Sequence, residues 1–198
     1  MMHIFIRSFF LFLLLYQIQL SVNGQSIKLF ITDNQKRFEY SATSGITDSY
    51  KSYFGDTLKM PIFYTLEHKK IDRKELEGKT IFYNFWFVKC APCIAEIPIL
   101  NQIAKKYNSD STLFIAITFN LQRDIENFCK TNELLFQKAS LTQSIIDSIK
   151  KVKFYPLSII VNKKGIISFA MFSGEIGERG SKDLYNLLDL QMKKIINL

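Results

Sequence analysis

The sequence predicts an α/β protein in which helices flank a mixed central sheet. Short apolar, β-branched runs alternate with amphipathic segments along most of the chain, as strands alternate with helices. The clearest strand pattern, residues 81–87, is almost continuously apolar, so we expect burial on both faces, with Trp86 in the core. Near the end of the chain, the polar turn at residues 162–165 separates two more apolar runs and predicts an antiparallel hairpin.

The other elements follow from their own periodicity, taken in chain order. Alternation or continuous apolar character predicts further strands or extended pieces, at residues 27–31, 62–66, 112–118, 134–138, 157–161 and 166–172. Apolar residues at helical spacing predict helices, at residues 72–76, 93–107, 123–131 and 140–150. A last amphipathic helix is expected to begin at Ser181, whose hydroxyl is of the type that caps helix starts.

The 198 residues are enough for one domain with a modest appendage. Residues 1–24 carry Arg7, an apolar run and small residues before Gln25, the pattern of a cleaved signal peptide. An uncleaved membrane anchor is the alternative reading of the same segment. We expect residues 25–60 to form an N-terminal β extension and residues 61–198 to form the main domain.

The formal charge of the chain is +8, and its basic residues are not concentrated in one segment. Its basic residues occur as short pairs that are spread along the chain, such as Lys69-Lys70 and Lys150-Lys151. A nucleic-acid-binding surface needs basic residues clustered on one face. The charge pattern therefore favours a basic protein that does not bind nucleic acid.

Three cysteines in an exported chain suggest one working pair and one spare. Cys90 and Cys93 form a Cys-x-x-Cys pair at a predicted helix start, whereas Cys129 resembles a small buried apolar residue. Backbone N–H groups and the helix dipole favour a thiolate at the first position. Cys90 is therefore the candidate attacking residue, and Cys93 is the candidate resolving residue.

Other interpretations of the cysteine pair are less well supported. A structural zinc site would need more ligands than one further cysteine and two histidines, His3 and His68, supply. A peroxidase of related fold would need Thr or Ser and Pro before its reactive cysteine, and residues 87–89 supply neither. A static disulfide in a non-catalytic binding module remains open as an alternative.

Two segments together resemble the TlpA/ResA-like branch of the thioredoxin superfamily. The first runs from Gly78 through Cys90-Ala91-Pro92-Cys93 to Glu96-Ile97-Pro98, and the second covers residues 154–167. The resemblance extends from about Pro61 to the end of the chain. It implies a thioredoxin-like fold and an exported thiol-disulfide oxidoreductase of the periplasm or cell envelope, with no metal and no cofactor beyond the dithiol. The implied partners are exported proteins with cysteines or disulfides, and the implied direction is that of a reductant, as in cytochrome c maturation, recharged by a membrane electron donor.

The resemblance also implies roles for individual residues. Pro156 would be a cis-proline beside the cysteines and, with Tyr155, Lys89 and Pro92, would bind the substrate segment. Glu96 would exchange a proton with the resolving thiol, since a carboxylate in an apolar setting has a raised pKa. Relatives usually carry a small or β-branched residue at the Tyr155 position and a different residue at the Lys89 position. The Lys89 departure predicts a further lowered pKa at Cys90, and the Tyr155 departure predicts a reshaped substrate groove.

Overall fold

The structure is a computed structural model, and it describes residues 31–32, 53, 55–149, 154–172 and 178–197. The predicted signal peptide lies outside these residues, as does most of the predicted N-terminal extension. No helix in the described ranges has the length and apolar character needed to cross a membrane.

A six-stranded mixed sheet forms the centre of the protein, in the order β1-β8-β7-β4-β5-β6. Strands β4, β5 and β6 run parallel to one another, whereas β7, β8 and β1 join by antiparallel pairing. A separate hairpin pairs β2 with β3. The strands are β1 (Ile31–Thr32), β2 (Phe63–Tyr64), β3 (Lys70–Ile71), β4 (Thr80–Phe85), β5 (Thr112–Thr118), β6 (Gln137–Ser140), β7 (Leu157–Val161) and β8 (Ile167–Phe172).

Five helices are seen in the described part of the chain, and they pack on both faces of the sheet. They are α1 (Arg73–Leu76), α2 (Ala91–Tyr107), α3 (Gln122–Cys129), α4 (Gln143–Ile149) and α5 (Glu178–Ile196). Alternate residues of β4 divide between two core clusters, since successive strand side chains point to opposite faces. Phe82 packs with residues of α2, α3 and α5, whereas Tyr83 packs with residues of α4. The expectation of a mixed sheet flanked by helices is therefore confirmed.

Burial of β4 and β5 explains the strongly apolar sequences of these two strands. Every residue of both strands is buried, and the two pair in parallel from Thr80 opposite Thr112 to Phe85 opposite Ile117. Strands covered on both faces carry near-continuous apolar sequence. Their carboxyl ends meet at one edge of the sheet, and the loops that follow them are therefore neighbours.

Helix α2 is fixed to the rest of the protein away from its first turn. Near its middle, the amide of Asn101 donates to the backbone oxygen of Glu133 at 2.8 Å and accepts from the N–H of Leu135 at 3.0 Å. At its last turn, Lys106 and Tyr107 both bond the carboxylate of Asp189 in α5, each at 2.6 Å.

The helix starts predicted at Ser140 and Ser181 each lie three residues from the helix starts in the structure. Ser140 ends β6 instead of beginning a helix, because it pairs with Thr118 of β5 and its hydroxyl donates to the backbone oxygen of Asn120 at 2.7 Å. The following helix begins at Gln143. Ser181 lies inside α5, which already begins at Glu178, and the glycine before Ser181 does not end the helix.

The edge strand β1 lies within the segment predicted to form an N-terminal extension, residues 25–60. Ile31 and Thr32 pair with Ala170 and Phe169 of β8, so this short segment adds a strand to the sheet. Thr32 lies just beyond the strand predicted at residues 27–31, yet it belongs to β1. The rest of the predicted strand at residues 27–31 lies outside the described residues.

Candidate active site

The cysteine pair lies where β4 passes into α2. The parallel ladder continues one residue beyond β4, with the N–H of Trp86 donating to the oxygen of Ile117 at 3.0 Å. The chain then turns, and the N–H of Cys90 donates to the oxygen of Phe87 at 3.0 Å. Cys90 is the N-cap of α2. Pro92 occupies the first helical turn, where a residue without an N–H removes no intrahelical hydrogen bond.

Cys90 and Cys93 are joined by a disulfide, with 5.2 Å between their Cα atoms. The backbone N–H of Cys93 donates to the Sγ of Cys90 at 3.3 Å. Negative charge on Cys90 after reduction would therefore lie against the positive end of the α2 dipole, which favours the thiolate. Each cysteine is only 3 % exposed, so a partner must approach closely for exchange.

The peptide bond between Tyr155 and Pro156 is cis, as the resemblance implied. Pro156 is buried and immediately precedes β7, whose Leu157 pairs with Phe85 at the end of β4. This register places the cis-proline beside the loop that leads into Cys90. The geometry thus brings together the two sequence segments that were singled out by their motifs.

Tyr155 packs within a cluster of aromatic side chains instead of projecting alone into solvent. Its ring meets that of Phe87 edge-on at 5.3 Å and that of Phe119 at 6.0 Å, and Phe87 and Phe119 are themselves 5.6 Å apart. The amide of Gln143 donates to the Tyr155 hydroxyl at 3.4 Å. Burial raises the pKa of Tyr155 above its ordinary value, although the Gln143 hydrogen bond opposes that shift. Tyr155 is therefore a neutral, half-buried wall of the site at neutral pH.

An open cavity of about 680 Å³ is lined by Phe87 and Phe119 of this cluster, and we call it the aromatic cavity. Two of its lining residues, Val88 and Lys89, directly precede Cys90. The full lining comprises Phe87, Val88, Lys89, Phe119, Asn120, Asp124, Asn127 and Phe128. The aromatic cavity therefore adjoins the redox-active pair, and the predicted site residue Lys89 is exposed at its rim.

Asn120 ties the loop before Cys90 to the loop after β5, a role that the sequence analysis missed. Its side-chain oxygen accepts from the N–H of Val88 at 3.0 Å and from the hydroxyl of Thr118 at 2.9 Å. A polar residue placed just after a buried strand was the available signal. Phe119 was missed as well, although it follows the same strand.

Glu96 is buried in α2, with 4 % of its surface exposed, and lies three residues after Cys93. The structure therefore places a carboxyl group inside the protein on the helix that carries both cysteines. Its catalytic role stays a prediction.

Trp86 and Cys129 flank the site without belonging to the redox pair. Trp86 is 1 % exposed, as expected of a core residue, and its ring lies 5.0 Å from that of Phe128. Its indole N–H, a donor that usually finds a partner when buried, has no hydrogen-bond partner among the described residues. Cys129 is a free, half-buried thiol whose pKa is raised by burial.

The fold and the dithiol define the class: an oxidoreductase of thioredoxin-like architecture that works through two cysteines. A family model described as Redoxin matches residues 55–188. The chain therefore belongs to the redoxin family. No cluster of three or more metal-ligating side chains is found within the described ranges.

Individual relatives agree with this assignment. The chain is 33 % identical over 125 residues to the thiol-disulfide oxidoreductase ResA of Bacillus cereus, covering 59 % of this chain and 72 % of that protein. It is 27 % identical over 130 residues to the thioredoxin-like protein YneN of Bacillus subtilis, covering 64 % of this chain and 73 % of that protein.

Two solved structures share the fold. A thiol:disulfide interchange protein DsbE of Chlorobium tepidum aligns with a TM-score of 0.60 at 17 % identity, covering 70 % of this chain and 97 % of that one. A secreted disulfide oxidoreductase of Mycobacterium tuberculosis aligns with a TM-score of 0.54 at 21 % identity, covering 66 % of this chain and 95 % of that one. The expected thioredoxin-like fold is confirmed by these structures. The named relatives confirm the expected thiol-disulfide oxidoreductase class, and they do not support the alternative of a non-catalytic binding module.

Proposed function

We propose that this chain reduces disulfides in exported proteins of the cell envelope through Cys90 and Cys93. The observation that carries the proposal is the position of Cys90 at the start of α2, with the Cys93 N–H directed at its sulfur. The adjoining cis-proline loop supplies the second wall of a groove for the partner. These are the features that favour an attacking thiolate next to a surface for a peptide.

The proposed reaction transfers two electrons in two steps. In the reduced protein, the Cys90 thiolate attacks one sulfur of the partner's disulfide, the partner's S–S bond breaks, and a mixed disulfide forms. Cys93, after losing its proton, then attacks the Cys90 sulfur. The partner leaves with two thiols, and the Cys90–Cys93 disulfide of this structure is regenerated.

Glu96 is proposed to take up the proton of Cys93 during the second step and to return it when the Cys90–Cys93 disulfide is next reduced. Its burial in α2, three residues after Cys93, supports this role, since a general base must lie within reach of the proton that it removes. Tyr155, Pro156, Lys89 and Pro92 are proposed to line the partner's path. Two of these four residues, Tyr155 and Pro156, are linked to each other by the cis peptide bond.

The proposed location is the periplasm or cell envelope, with the electrons supplied by a dithiol donor in the membrane. The support is the signal pattern of residues 1–24, together with the secreted M. tuberculosis neighbour. The amino-terminal sequence of the protein isolated from its cells tests this. A terminus at Gln25 in an envelope fraction is expected, and an intact chain that sediments with membranes would instead indicate an anchor.

Cysteine variants test the reaction itself. We expect Cys90→Ser to lose the reduction of insulin disulfides, and Cys93→Ser to accumulate a mixed disulfide that gel electrophoresis detects. Cys129→Ser is the matched control and should retain activity, because Cys129 stands apart from the disulfide. Full activity in Cys90→Ser would refute the proposal.

The direction of electron flow is tested by equilibrium with glutathione. A reductant should show a potential nearer that of thioredoxin, about −270 mV, than that of the oxidant DsbA, about −120 mV. A value close to the second figure would make the protein an oxidant and overturn the reductant assignment while leaving the dithiol chemistry intact.

A further inference from the structure

The aromatic cavity beside Cys90 exposes apolar surface at the place where a partner must dock. Phe119 is 36 % exposed, and the neighbouring Leu121 is 58 % exposed. Contiguous exposed apolar surface on a protein commonly marks a binding site. Here that surface is continuous with the residues that lead into the attacking cysteine.

The walls of the aromatic cavity are held in place before any partner arrives. Phe87 is fixed between Tyr155 and Phe119 by ring contacts at 5.3 and 5.6 Å. The Asn120 side-chain oxygen fixes the backbone of Val88 at 3.0 Å. A preformed cavity binds more strongly than a flexible one, because less conformational entropy is lost on binding.

The polar groups of the lining leave the aromatic faces as the main contact surface. The side-chain oxygen of Asn120 already accepts two hydrogen bonds, and that of Asn127 accepts one from Lys130. The cavity carries one cation, Lys89, and one carboxylate, Asp124. The opposite charges largely cancel, so the cavity does not select a partner by its net charge.

A mixed disulfide on Cys90 fixes where the partner's chain can run. Val88 and Lys89 line the aromatic cavity and directly precede Cys90, so residues close to the partner's cysteine must pass this opening or the cis-proline loop. The open cavity, with a volume of about 680 Å³, has room for a large side chain.

We propose that the aromatic cavity is a specificity site for a large apolar side chain next to the partner's reactive cysteine, with aromatic side chains preferred. This inference rests on the proposed disulfide exchange. The fit follows from ring-lined walls, which favour edge-on or offset packing of a further ring. Phe87, Phe119 and Phe128 are the specificity residues.

The test compares two synthetic peptides that each carry one intramolecular disulfide. They are identical except for the residue before the first cysteine, which is Phe in one peptide and Ser in the other. The full-length reduced protein is mixed with each peptide, and the second-order rate constant for reduction of the peptide is measured by chromatography. Reduction of both peptides by dithiothreitol corrects for their intrinsic reactivity.

We expect the protein to prefer the Phe peptide about tenfold, a difference of about 1.4 kcal/mol in transition-state binding. In Phe119→Ala the ratio of the two rates should fall to about twofold. In Phe119→Glu, a peptide with Lys before its cysteine should become preferred over the Phe peptide. Tyr64→Ala removes an exposed aromatic ring outside the cavity and should keep the wild-type ratio.

Equal corrected rates for the two peptides with the wild-type protein would overturn the inference, and this measurement needs no substitution. An undiminished ratio in Phe119→Ala would overturn it as well. Failure to reduce either peptide and also dithiobis(nitrobenzoate), a small disulfide that needs no side-chain site, would instead refute the proposed function. The two failures are therefore distinct.

Discussion

The side-chain oxygen of Asn120 accepts a hydrogen bond from the backbone N–H of Val88, with 3.0 Å between the two atoms. This bond joins the loops that follow two adjacent parallel strands, and Val88 lies two residues before Cys90. The position of the Cys90 sulfur therefore depends on a residue that is distant from it in sequence.

Removal of that hydrogen bond should weaken the protein and slow its reaction. We expect Asn120→Ala to lower the free energy of unfolding by roughly 1–3 kcal/mol, because the Val88 N–H loses its acceptor. Reduction of insulin should slow as the Cys90 loop loses its fixed position. Urea unfolding and the insulin assay measure the two effects. Asn186→Ala, an exposed position on α5, is the control, and an equal loss of stability there would contradict the prediction.

Because of the Asp189 carboxylate, we expect the stability of the folded protein to change with pH in the acid range. Hydrogen bonds from Lys106, Lys193 and Tyr107 hold the pKa of Asp189 well below its usual range. Burial and the bond to Asp189 raise the pKa of Tyr107 to about 12, so the phenol stays a donor at neutral pH. A depressed folded-state pKa gives stability that is fully present above the unfolded value of about 4 and is lost as the pH falls through the folded-state value.

We therefore expect Asp189→Asn to have a lower urea midpoint than the wild type at pH 7. Below about pH 4, the difference between the two midpoints should become smaller. The control is Asp183→Asn, an exposed aspartate of the same helix. It should leave the midpoint nearly unchanged at both pH values. A gap between wild type and Asp189→Asn that stays constant through acid pH would contradict the prediction.

In the reduced protein, Cys90 should react with iodoacetamide before Cys129. Burial raises the pKa of Cys129, which lowers its thiolate fraction at neutral pH. Cys90 should be alkylated first, since the N-terminal N–H groups of α2 stabilise its thiolate. Mass spectrometry after short exposure at pH 7 measures the order. Earlier labelling of Cys129 would show that the α2 terminus does not activate Cys90.

Phe114 should be among the most sensitive core positions. It is 2 % exposed, stacks on Phe82 at 5.3 Å and meets Phe136 edge-on at 5.1 Å. Phe114→Ala should cost about 3–5 kcal/mol of unfolding free energy, because a large cavity opens between α2 and the sheet. Phe154→Ala, where the side chain is 54 % exposed, should cost much less. Similar denaturation midpoints for the two variants would contradict this assignment of the core.

Elements with a strong repeating pattern were predictable from the sequence. The continuous apolar runs at β4, β5 and β7 reflect burial on both faces, and the Cys-x-x-Cys pair marked the start of α2. Ser140 was misassigned because its pairing partner is Thr118 of another strand. Local pattern cannot reveal such a tertiary hydrogen bond.

The Cys-x-x-Cys pair and Pro156 could be identified from sequence motifs, whereas the aromatic cavity could not. Phe87 and Phe119 are remote in sequence and meet only because β4 and β5 are parallel neighbours. Each phenylalanine by itself looks like an ordinary core residue at a strand end. The pairing of the two strands was needed before the shared wall could be seen.

The attachment of α2 has a mechanical consequence for reduction of the disulfide. Asn101 and Asp189 hold the middle and the last turn of the helix, far from Cys90. When the S–S bond opens, the body of the helix cannot slide to accommodate the separating sulfurs. We therefore expect the sulfurs to separate by rearrangement within the first turn of α2, which carries both cysteines and is not held by these two contacts, so that turn should present the redox state to partners.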